Sequence, residues 1–170
     1  LDIAQSILDD HHEQRRLFAT LQQIDGKATS KLEAIWTRLA AFLEVHAAAE
    51  EDHFYPSLLR LGKGAGGKAS AEAETVHAIK DHNKIRDAVA QVARHEVGSR
   101  EWFEAVAAAN KENGEHMDEE EREGLADFRR TAPLQLRHEL AIEFAVFEAT
   151  HLTGVASVDK DPKTYVKQNR

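Results

Sequence analysis

Two stretches of this chain, seventy residues apart, each set an imidazole and a carboxylate four positions from one another: His46-Ala-Ala-Ala-Glu50 and His116-Met-Asp-Glu-Glu120. On a helix, positions i and i+4 stand one above the other on the same face. A fold that turns these faces inward must bring the pairs together around something that satisfies them, because uncompensated buried charge costs several kcal/mol per ion. The chain is therefore constrained to helices packed around a partly polar interior.

Helical spacing accounts for most of the remaining sequence. Ile3, Ile7, Phe18, Leu21 and Ile24 define a helix over residues 2–24, with Asp2 and Gln5 as a capping box. Ser30-Lys-Leu-Glu33 opens a second helix whose apolar face runs through Leu32, Ile35, Leu39 and Phe42, with Pro56 just past Phe54-Tyr55. A Gly-rich connection at residues 61–70 precedes a third helix, about 71–94, on Ile79, Ile85, Val89 and Val92. A fourth is expected over about 100–129, and a fifth over about 133–151, with Pro133 in its first turn and Leu136, Leu140, Phe144 and Phe147 along one face. The polar tail, 158–170, reads as a surface strap or a frayed end. With no strand pattern, the expectation is an all-α, antiparallel four-helix bundle over residues 1–130, with a C-terminal helix and tail, 131–170, packed on it.

Phase sorts the ten histidines. At about 100° per residue, His11 continues the stripe of Ile7 and Phe18, while His12 turns aside. His46, Glu50 and His53 continue the stripe of Leu39 and Phe42, whereas Glu51 and Asp52 point away. His82 shares a face with Ile79, Ile85 and Val89, and His77 lies off that line. His116 and Glu120 follow Val106 and Ala109, with Glu121 competing for the same role. His12, His95, His138 and His151 are left as surface or supporting groups. A lone histidine on an apolar face is usually a hydrogen-bonded core residue. Five inward imidazoles with two inward carboxylates exceed what marginal stability tolerates, and a metal centre resolves the conflict by consuming their lone pairs.

Composition narrows the chemistry. The chain has 170 residues, 42% of them hydrophobic and 31% charged, ordinary values for one soluble domain. A net charge of -8 with no visible basic patch argues against nucleic acid as a partner. No apolar run approaches the roughly 18 residues of a membrane span, and the first residues lack a charged region followed by an apolar one, so no membrane association and a cytoplasmic location are expected. There is no Cys, which excludes thiolate ligands and leaves nitrogen and oxygen to hold any metal. Imidazole with carboxylate suits iron, manganese or zinc; two carboxylates able to bridge favour a dinuclear centre, with iron preferred.

These motifs resemble the hemerythrin family, in particular its HHE cation-binding domains. The resemblance spans about residues 1–130 and rests on four motifs in order: Asp10-His11-His-Glu-Gln-Arg-Arg-Leu-Phe18, His46-Ala-Ala-Ala-Glu50-Glu-Asp-His-Phe-Tyr-Pro56, Asp81-His82-Asn-Lys-Ile85 and His116-Met-Asp-Glu-Glu120. It implies two non-heme iron ions, oxo- or hydroxo-bridged, with Glu50 and Glu120 bridging and His11, His46, His82 and His116 terminal. The chain departs from blood-type hemerythrins on helix three: Ala78 stands where a second histidine is expected, four before His82. His53 is expected to supply the fifth imidazole, with His77 as runner-up.

Two other patterns rank lower. Gly62 through Gly67-Lys68-Ala69 imitates a phosphate-binding loop, but Ala replaces the Ser or Thr and no strand precedes it, so it reads as a linker. Glu50-x-x-His53 and Glu74-x-x-His77 imitate ferritin-type pairs, yet leave His11, His82, His116 and Glu120 unexplained. A His-rich di-iron centre with an open position suits a small diatomic or peroxide ligand: dioxygen bound reversibly, peroxide decomposed or nitric oxide handled enzymatically with Tyr55 as proton donor, or iron sensed or stored. Sequence does not choose among these, nor fix an oligomeric state.

Overall fold

The computed structural model describes residues 1–66 and 70–170, and all regular structure among them is helical. Helix α1 (Ile3–Gln22) starts at Asp2, whose carboxylate accepts from the Ala4 N–H at 3.0 Å. Gln5 bonds forward to Asp9 instead of back to Asp2, and Asp2 accepts from Ala4 instead of Gln5, so Asp2 acts as a simple N-cap and the expected capping box does not form. Helix α2 (Thr29–Ala49) begins ahead of Ser30, with Ala28 at its N-cap and no side-chain cap bond.

The helix does not stop at Pro56. A π-helical turn, Glu50–Phe54, leads into α3 (Tyr55–Leu61), and the Tyr55 N–H bonds the Glu50 carbonyl five residues back. Pro56 falls in the first turn of α3, and because the helix runs on through it, its missing N–H removes one donor to the preceding turn, where the Glu51 carbonyl accepts from the Tyr165 hydroxyl.

Helix α4 (Ala71–Val92) is capped by Ser70 and α5 (Arg100–Arg122) by Ser99, whose hydroxyls accept from the Ala73 and Trp102 N–H groups at 3.2 and 3.1 Å. The expected helix over 100–129 breaks at Glu123 (φ -111, ψ -87), so that α6 (Gly124–Thr131) is a separate element. Helix α7 (Leu134–Thr150) follows Pro133 and lies across α1 and α2. The tail is ordered as a strap: Asp161 caps α8 (Pro162–Asn169), which buries Tyr165 and Val166 against α4.

The interior has three layers. Leu17, Phe18, Leu21, Leu39, Trp102 and Val106 form one apolar cluster. Ile3, Ile7, Phe54, Leu58, Phe128 and Phe144 form a second at the opposite end. Between them each core helix passes through polar residues: His11 and Gln14 on α1, His46 and Glu50 at the α2 junction, His82 on α4, His116 and Glu120 on α5. Among the described residues no helix is long and apolar enough to cross a membrane. Gly67-Lys68-Ala69 of the phosphate-loop-like match lies outside the described residues.

Candidate metal centre

Six of the seven expected ligands meet in this middle layer, in two groups that share Glu50. His11, His46, Glu50 and Glu120 each present a ligand atom within 4.8 Å of one another; so, separately, do Glu50, His82 and His116. Glu50 Oε1 lies 2.9 Å from His46 Nε2, and its other oxygen 3.2 Å from His82 Nε2 and 4.0 Å from His116 Nε2. One carboxylate thus turns an oxygen toward each group, as a bridging ligand does. Glu120 belongs to one group: its Oε2 is 3.3 Å from His11 Nε2, while Oε1 accepts a hydrogen bond from the Tyr55 hydroxyl. Its charge also acts on His116 of the other group, and His116 on it.

The outer nitrogens fix the inner ones. His11 Nδ1 donates to Glu121 at 2.9 Å, His46 Nδ1 to Asp10 at 2.8 Å and His82 Nδ1 to Glu51 at 2.8 Å. An ionised carboxylate only accepts, so each Nδ1 carries a hydrogen and each Nε2 is the nitrogen left to face inward, free to bind a metal once it gives up any proton it holds. The Nε2 atoms of His82 and His116 face one another at 3.1 Å, about the separation of two nitrogens held on one ion at roughly 2.1 Å. His11 Nε2, His46 Nε2, both oxygens of Glu50 and Oε2 of Glu120 are buried and meet only one another and His82 Nε2 and His116 Nε2, as the close imidazole–carboxylate approaches above, without well-formed hydrogen bonds. Buried polar atoms are ordinarily satisfied, and this set converges on one space, so the residues fit a metal centre.

The chain belongs to the hemerythrin HHE cation-binding family. The family model matches residues 2–126, which carry all six clustered ligands. No curated protein and no solved structure matches the chain at a significant level.

Within this hemerythrin-type layer the metal-free electrostatics are strongly coupled. Burial pulls the His46 imidazole down, but Glu50 and Asp10 overrule it and hold its pKa well above the usual histidine range. Against the same opposition, Glu50 and Glu51 push His82 up to about 9. His116 goes the other way, lowered well below the usual value by burial and by His82 beside it. Burial and the Glu120 and Glu50 carboxylates drive the Tyr55 phenol well above its ordinary range, so it remains protonated.

His53 is not brought to either group. It is half-buried, with its ring edge-on to Phe147 at 5.6 Å. The π turn is the cause: an α-helical register would carry the Glu50 face to His53, whereas the five-residue hydrogen bond carries it to Tyr55. Tyr55 accordingly enters the site, at 1% exposure. His77 also stays outside, paired with Glu119 Oε2 at 2.7 Å. His11 is buried and His12 exposed, as helical phase requires.

Periodicity missed the residues behind the ligands. Glu51 was expected to point aside, yet it is buried, holding His82 while receiving Arg86 at 3.0 Å and Lys160 at 2.7 Å. The Tyr165 hydroxyl donates to the Glu51 carbonyl. The signal present in the sequence was Arg86, a cation one turn beyond His82 on an otherwise inward face.

Proposed function

We propose that this chain is a non-heme di-iron protein that binds dioxygen, or a related small molecule such as peroxide or nitric oxide, at the centre shared by Glu50. The observation that supports it is the pair of ligand groups joined by one carboxylate, four imidazoles strong. His11, His46, Glu50 and Glu120 would hold one ion and Glu50, His82 and His116 the other. A thiolate-free set of imidazoles and carboxylates suits iron, manganese or zinc, and two groups joined by one carboxylate incline the reading to a di-iron centre. A ferrous pair held by these residues would supply the electrons that reversible dioxygen capture requires.

The protein's own part is to exclude water and place one proton. Phe42 and Phe144 stand edge-on to His46 at 6.3 and 6.0 Å, closing that side with apolar surface. Tyr55 keeps its hydroxyl hydrogen, donates it to Glu120, and is thus a buried proton donor at the wall of the site. On the His46 side this apolar wall, with Tyr55 as the donor bonded to Glu120, favours reversible binding over proton-driven loss of the oxidised product.

The deciding experiment is anaerobic reduction of the iron-loaded protein followed by repeated exposure to oxygen and to vacuum. Carrier behaviour requires a visible absorption change that appears and disappears over several cycles. Tyr55 also supports a second reading, peroxide decomposition with the phenol as acid; sustained gas evolution on adding peroxide, lost in Tyr55→Phe, would select it.

A further inference from the structure

The middle layer holds a buried polar group that a metal ion cannot satisfy. Gln14 is fully buried on α1, one turn past His11, and its Nε2 has no hydrogen-bond partner. Imidazole nitrogens and carboxylate oxygens can give lone pairs to an ion, but an amide nitrogen only donates. A buried donor left unpaired carries its full desolvation penalty, so a native interior supplies it with an acceptor. The partner of Gln14 is therefore to be sought among acceptors that enter this layer.

The neighbouring helix fixes its orientation. Asn113, one turn before His116 on α5, donates from Nδ2 to Gln14 Oε1 at 2.9 Å and approaches Met117 Sδ at 3.7 Å. The oxygen of the Gln14 amide is thereby committed to α5, and its NH2 group turns away from Asn113. Long helical side chains lean toward the N-terminus of their helix, which carries Gln14 back over the turn of His11. In the opposite direction Leu17, Phe18, Val106 and Ala109 belong to the apolar cluster and offer no side-chain acceptor. Tyr55, by contrast, has already committed its hydrogen to Glu120.

We propose that Gln14 is the hydrogen-bond donor to the small ligand at the centre, and that it favours ligands presenting a negatively charged free end, such as azide or dioxygen that has gained electron density. The assignment rests on the di-iron reading and narrows the class of ligand that reading allows. Asn113 is a positioning residue: by holding Gln14 Oε1 it keeps the NH2 group turned from α5.

Azide binding to the iron-loaded, oxidised protein tests the donor. In wild type the azide stretching frequency should shift between H2O and D2O. In Gln14→Leu/Asn113→Leu, which replaces both amides and so leaves neither unpaired, that shift should vanish while the azide dissociation constant rises at least about tenfold at equal iron content. Should the double variant fail to hold iron, Gln14→Met keeps the volume of the side chain and carries the same expectation. Azide bound to wild type without the isotope shift, a shift that persists in the variant, or an unchanged dissociation constant overturns the donor and leaves the di-iron reading standing. A wild type that holds two irons and binds no azide overturns the ligand-binding reading, and the donor with it.

Discussion

The two sides of Glu50 are built differently. On the side of His11 and His46, the supporting carboxylates Glu121 and Asp10 come from α5 and α1, elements that also deliver ligands. On the side of His82, the support is Glu51, which is itself held by Arg86 and by Lys160 and Tyr165 of the C-terminal strap. His116 sits beside His82 with its pKa depressed by burial and by that neighbour. Both halves draw on residues beyond the span matched by the family model, Phe144 and Glu148 of α7 beside His46 and Asp10 on one side and the strap on the other, but of these only the strap brings a cation, Lys160, to a supporting carboxylate. A fold can place similar ligands on both sides of a bridge and still distribute the duty of holding them to different parts of the chain.

The largest effect should come from removing what the halves share. Glu50→Ala is expected to empty both groups together, whereas Glu120→Ala, a member of one group, should release the ion on the His11 side first. Metal content after gel filtration measures this, and full retention of both ions by the Glu50 variant would dissolve the comparison.

A smaller and more telling effect concerns the supports. The Lys160→Ala/Tyr165→Phe variant should weaken the ion on the His82 side about tenfold, and Asp10→Asn should do the same on the His46 side. Stepwise affinities against a competing chelator separate the two. If both variants perturb the same step, the halves are not independent.

His53→Ala should leave metal content unchanged and cost on the order of 1 kcal/mol from its lost packing on Phe147. Loss of an ion in that variant would return His53 to the ligand set.

The smallest effect is electrostatic. Burial, with Asp127 beside it, pushes the Glu74 carboxyl from 4.5 to about 7. The folded state therefore holds this proton more tightly than the unfolded chain. Stability contributed by the protonated group is present in full below about pH 4.5, declines as pH rises, and is gone above about pH 7. Metal-free Glu74→Gln should accordingly exceed wild type in stability by about 1–3 kcal/mol at pH 8 and by less at pH 5.5. A difference independent of pH, read from urea melts, would contradict this.

Much of this was legible in the sequence because helical phase reports which face is buried. Ile7, His11 and Phe18 share a stripe, and so do Leu39, Phe42, His46 and Glu50; the structure buries His11, His46 and Glu50 between two apolar layers. The extrapolation failed where the period changed. Past Glu50 the π turn advances the inward face to Tyr55, and no local propensity in Glu50-Glu-Asp-His-Phe54 announces that extra residue. Glu51 and Lys160 were hidden for another reason: their roles depend on where the C-terminal strap packs, a tertiary fact that periodicity does not carry.

The central claim is that Glu50 joins two metal positions. Anomalous diffraction at the iron edge on crystals of the iron-loaded protein tests it most directly. Two buried peaks are predicted, one among His11, His46, Glu50 and Glu120 and one against Glu50, His82 and His116. A single buried peak, or peaks lying away from the Glu50 carboxylate, would contradict the account.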